Sequence, residues 1–215
     1  MFGFDLRLFR LGSIVLLVFA SATAVFSQLK PPTPDEAAKA VAHLEAKLKE
    51  PQHPIQRFGV LLFLPSASLV AGDREKAERY ANQLQPLAAE IAASTRLDLS
   101  SLSNAATHNS NIILGLIEFQ RGKTNKAKEH LLAAGRIIGI TPPYLASFGP
   151  NMLLAKKLVE AGERDAVIQY LDMCAGFWKL EDGRIAKWKE QVSKEIVPEF
   201  GANNVYVAQS WPRVR

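Results

Sequence analysis

Residues 108–135 read HNSNIILGLIEFQRGKTNKAKEHLLAAG, and two helices joined by a tight elbow are legible in that stretch. Apolar residues recur at helical intervals up to Phe119 and resume after the polar turn at Leu131 and Ala134. Arg121-Gly122 closes the first helix, because glycine accepts the positive φ at which a chain leaves a helix axis. Ala127 then lets the second helix approach the first closely.

The same elbow returns on both sides. Residues 70–84, VAGDREKAERYANQL, turn at Gly72, and residues 160–176, EAGERDAVIQYLDMCAG, turn at Gly162. Around these elbows the periodicity predicts helices at about 54–71, 73–94, 100–121, 124–138, 150–161, 163–178 and 181–194. Gly139, Pro142-Pro143, Gly149-Pro150, Arg96 to Asp98 and Asp182-Gly183 are the breakers between them. Pro65 is expected to kink or shorten the 54–71 helix.

An eighth helix comes first. Thr33-Pro34-Asp35-Glu36 has an N-cap, a proline at the first position and a carboxylate three residues on, the spacing of a capping box. Ala37, Val41, Leu44 and Leu48 continue it on one apolar face to about Glu50. No stretch alternates with period two, so an all-α fold of about eight helices is expected over residues 33–195. Residues 196–215 lose the helical period but keep Phe200, Tyr206 and Trp211, which predicts a non-helical tail packed on the helices.

Residues 1–27 stand apart. Arg7 and Arg10 precede the greasy run Leu11–Ala20, and small residues follow to Ser27, the pattern of a secretory signal peptide. Cleavage after Ala24 or Ser27 fits, Ser27 better because Gln28 then opens a polar leader over 28–32. The alternative is a retained membrane anchor; either way the chain is expected to be exported, periplasmic or secreted. The single Cys174 allows no internal disulfide and sits among apolar neighbours, as a buried thiol does. Apolar residues at 48% and charged residues at 22% suffice for a core and argue against wholesale disorder. The net charge of +5 is spread beside carboxylates along the helices, which speaks against a nucleic-acid footprint.

The middle unit resembles a tetratricopeptide repeat (TPR): Leu114-Gly115 lies before the Gly122 elbow, Ala127 after it, and Leu131 and Ala134 at the following packing positions. The elbows lie 50 and 40 residues apart, whereas that family repeats at about 34. Over residues 100–206 the segments already quoted, with SFGPNMLLAKKLVEAGERDAV, CAGFWK and PEFGANNVY, look like a group of bacterial TPR-like proteins without an assigned activity. The resemblance implies a helix-hairpin solenoid that binds a protein or peptide, and it transfers no catalytic residue. In TPR proteins the first helix of each pair lines a concave groove. On this chain that resemblance points to Asn109, Ile112, Leu116 and Phe119 in the middle unit, to Gly149, Met152, Lys156 and Val159 in the third and to Gly59, Leu62, Ser66 and Leu69 in the first. The alternative is that these side chains are core, because a short, tight solenoid closes its groove.

Chemistry-bearing motifs are scarce. His43, His53, His108 and His130 lack metal-ligand spacing, and neither a nucleophile elbow nor a phosphate loop is present, so no cofactor, metal or enzymatic role is expected. The alternative is an exported enzyme on the helical scaffold, since paired carboxylates need no local motif. His108-Asn109-Ser110-Asn111 is the densest polar cluster, and His108 joins the candidate groove set. The four residues of that cluster read either as helix-interior polar groups bonding backbone and neighbours or as a ligand-binding cluster.

Overall fold

The computed structural model describes residues 31–94 and 99–204, all of whose regular structure is helical. The expected signal segment, the turn around Arg96–Asp98, Tyr206 and Trp211 lie outside those residues. The helices are α1 (Pro34–Lys49), α2 (Pro54–Val70), α3 (Arg74–Ser94), α4 (Ser100–Gln120), α5 (Thr124–Ala134), α6 (Pro143–Ser147), α7 (Leu153–Glu160), α8 (Arg164–Phe177) and α9 (Arg184–Ser193). No described helix is long and apolar enough to cross a membrane.

Local chemistry accounts for the ends. Thr33 and Glu36 form the expected capping box at α1. His53 does the same for α2 with Gln56, ahead of Pro54 at the first position. At the three glycine elbows the backbone repeats one pattern. Gly72, Gly122 and Gly162 have φ of 86°, 75° and 84°. In each, the glycine N–H reaches the carbonyl three residues back, and the next N–H reaches the carbonyl five back: Asp73 to Ser68, Lys123 to Glu118 and Glu163 to Leu158, all at 2.9 Å. This is the Schellman ending of a helix, formed three times.

Three expectations are corrected. Pro65 does not shorten its helix; α2 runs through it to Val70, with Phe58, Leu61, Leu64 and Ala67 buried around the proline. The fifth helix stops at Ala134, not 138. The Pro142-Pro143 breaker starts a helix, because proline at a first helical position forfeits no internal bond. Gly201–Asn204 adds one 3-10 turn to the expected non-helical tail. Residues 135–152, holding α6, thus form a long crossover between α5 and α7.

Packing follows chain order. α2 lies on α3, α4 on α5 and α7 on α8, while α4 also touches α2 and α7, and α5 touches α8. One apolar cluster joins α1, α2, α3 and the start of α4; a second joins the rest of α4 to α5, α7, α8, α9 and Phe200, and Tyr144 of α6 packs against both. Phe200 meets Trp188 edge-on at 5.0 Å, and Trp188 stands 5.6 Å from Trp178, so the start of the tail is seated on the last helices.

Candidate functional site

α4 carries an uncommon load for a helix interior. Asn104, His108, Asn109, Ser110 and Asn111 are all buried, and a buried polar group without a partner costs about 1–3 kcal/mol. Each named side chain has partners, and most of them lie in the crossover or α5. Asn104 donates to the carbonyls of Ile138 at 2.7 Å and Ile140 at 2.9 Å, and accepts from Ile138 N–H at 3.1 Å. His108 Nδ1 lies 3.1 Å from the Ala134 carbonyl, and its Nε2 accepts from Asn151 N–H at 3.1 Å. Asn109 donates to Ala105 O and to the Tyr144 hydroxyl at 2.6 Å. Asn111 donates to Thr107 O, and its Oδ1 lies 2.8 Å from His130 Nδ1.

Asn104, His108 and Asn111 stand at i, i+4 and i+7, one stripe of the helix. The far end of the crossover is held as tightly. Asn203 donates to the carbonyls of Phe148 and Pro150, and its own carbonyl accepts from Met152 N–H. Tyr170 donates to Asn151 O, and the Trp178 indole N–H to Ser147 O. Beside exposed Arg136, this fixed strap offers large apolar side chains to solvent: Ile138 is 77% exposed, Ile140 49% and Phe148 56%.

Of the groove candidates, His108, Asn109, Ile112, Leu116 and Met152 are buried, while Phe119 and Lys156 are half-buried. Ile112, Leu116 and Met152 belong to the apolar core, and His108 and Asn109 to the network. Asn104, Tyr144, Asn151 and Asn203 were not singled out from sequence. The i, i+4, i+7 spacing marks Asn104 as part of the stripe, but nothing local marks the other three. Burial pushes His108 down from 6.5 to about 4, against the opposing pull of the Ala134 carbonyl, so the ring is neutral near pH 7. Burial raises the Cys174 thiol, which keeps it protonated and inert.

Elsewhere, Arg121 bonds Glu78 of α3 and Glu118 of its own α4, tying the Gly122 elbow to the preceding hairpin. A shallow cleft lined by Ala71–Glu75 and Arg121 opens beside it. Among the described residues no group of three His, Cys, Asp or Glu side chains is arranged to hold a metal ion. No family model, curated protein or solved structure matches the chain.

Proposed function

We propose that this chain is an exported, non-catalytic binding scaffold, a TPR-like solenoid that presents a surface to a protein or peptide. One observation carries the reading. Asn104, His108 and Asn109 of α4, in the chemically richest stretch of the sequence, are spent on fixing the crossover, and the crossover turns Ile138, Ile140 and Phe148 outward. Ordered apolar side chains held on a rigid support suit recognition, because little freedom is lost when they are covered. The Gly72, Gly122 and Gly162 hairpins support the solenoid geometry, and the basic-apolar-small pattern of residues 1–27 supports export. On this reading the groove positions of α4 serve the core, and the contact surface lies on the crossover.

A photo-crosslinking amino acid placed at Ile138, at Phe148 and, as a control, at exposed Lys49 tests the proposal in the native envelope. The expected result is one shared adduct at the two crossover positions and none at Lys49, lost when Ile140→Ser is added. Equal adducts at all three positions, or none above background, reject it.

A further inference from the structure

His108 is fully buried with both ring nitrogens engaged, and its partners dictate its state. The Ala134 carbonyl only accepts, so Nδ1 carries the proton; the Asn151 N–H only donates, so Nε2 is bare. Ala134 ends α5 and Asn151 leads into α7. One neutral ring therefore ties together the two ends of the crossover.

The titratable groups around it offer no counter-charge. On α4 the next carboxylate is Glu118, held by Arg121 and Lys123. On α5, His130 is bonded to Asn111 and feels Glu118, Glu129 and Lys126, while Arg136, just past Ala134, is exposed. α6 contributes the Tyr144 phenol on Asn109, and α8 contributes Tyr170 on the Asn151 carbonyl with the neutral thiol Cys174. α7 carries half-buried Lys156 and the exposed pair Lys157–Glu160, and on α2 and α3 Arg57 and Glu90 are exposed. Among the described residues, no carboxylate is bonded to the His108 ring.

We propose that His108 is an acid-sensitive latch: protonation at Nε2 sets its new N–H against the Asn151 N–H and frees residues 135–152 while the α2–α3 hairpin stays folded. The direction follows from linkage. Above pH 6.5 the ring is neutral whether the crossover is closed or open, and pH has no effect. Between 6.5 and about 4 the open form takes up a proton that the closed form refuses, so closure weakens as pH falls. Below about 4 both forms are charged and the loss stops. A window of that width raises the opening constant by up to about 300-fold. The outcome is a surface presented at neutral pH and loosened in acid, an addition to the scaffold reading that does not depend on which partner binds.

Hydrogen exchange of the full chain, corrected for intrinsic rates, tests the latch between about pH 7 and pH 4. Opening of 135–152 is expected to rise by about two orders of magnitude, with α2–α3 peptides unchanged. His108→Gln, whose amide supplies a donor and an acceptor without titrating, is expected to flatten that response, and His130→Gln to preserve it. An acid response that survives in His108→Gln, that is absent from the parent chain, or that is uniform along the chain overturns the proposal. Should His108→Gln fail to fold, imidazole nitrogen shifts of the parent protein decide. A ring titrating near 6.5, or titrating without moving the 138–151 amides, refutes the latch; a bare Nε2 down to about pH 4 with those amides moving upholds it.

Discussion

The three elbows and the crossover both join helices, yet they are held in opposite ways. At Gly72, Gly122 and Gly162 the backbone is turned locally, by one left-handed residue and two backbone bonds reaching three and five residues back. Space around them is open, and a Cβ at any of the three would meet nothing within 4 Å. The crossover is fixed from far away, by side chains 19 to 55 residues distant in sequence. An elbow specifies a direction; the crossover specifies a unique seat, because each polar side chain must meet its own particular set of backbone carbonyls and N–H groups.

The widest gap between the two classes is expected at glycines of similar φ. Gly149, at φ 89°, ends α6 against Trp178, and a Cβ there would lie 2.3 Å from the ring's Cε2 and 2.6 Å from Cδ2. Trp178 is 1% exposed and cannot retreat into solvent. Gly149→Ala is expected to cost about 3 kcal/mol or more, from overpacking added to backbone strain, with loss of the near-ultraviolet dichroism of the Trp178 site. Unchanged denaturant midpoints would show that the crossover yields more readily than its bonds imply.

Asn104→Ala comes next. It removes one acceptor and two donor contacts to Ile138 and Ile140, and leaves a cavity on α4. The expected loss is about 1–3 kcal/mol. In hydrogen exchange it concentrates in residues 135–142 and spares the Gly122 elbow; loss spread evenly over α4 and α5 would refute the distinction between seat and hairpin. Gly122→Ala isolates the elbow class, with strain alone and no collision. About 1 kcal/mol of destabilisation is expected in a denaturant melt, well below the Gly149 value. Equal costs at the two glycines would dissolve the comparison.

This contrast also explains what could be read from the sequence. The elbows were legible because a positive φ is a local demand that glycine announces, and Thr33-Pro34-Asp35-Glu36 announces its cap in the same way. α6 was hidden because Pro142-Pro143 reads as a stop until Pro143 is recognised as a first helical residue. The stripe of Asn104, His108 and Asn111 was partly visible as a polar cluster, but its destinations were not. Ile138, Ala134 and Asn151 carry the accepting or donating backbone group, and a backbone group leaves no signature in residue type. The groove candidates show the same limit from the other side: a helical period places Ile112 and Leu116 on a shared face, and only the neighbours decide that the face is covered.

The smallest expected effect falls on a fourth elbow that lacks its glycine. α9 ends with Glu195 N–H reaching Val192 O and Ile196 N–H reaching Gln191 O, the same two bonds, but Glu195 occupies the left-handed position at φ 64°. A left-handed non-glycine residue costs about 1–2 kcal/mol, so Glu195→Gly relieves strain. Two effects oppose that gain. Glycine adds about 0.4–1 kcal/mol of unfolded-chain freedom, and the surface ion pair of Glu195 with Arg164 at 2.9 Å is lost, a pair of the kind worth about 0–1 kcal/mol. At low salt the three contributions nearly cancel, and the melting temperature of Glu195→Gly is expected within about 2 °C of the parent. At about 1 M salt the ion pair is screened and the relief of strain remains, so the variant is expected to melt higher than the parent. A lower melting temperature in both salts would mean that Glu195 holds the end of α9 by more than its backbone angle and its partner Arg164.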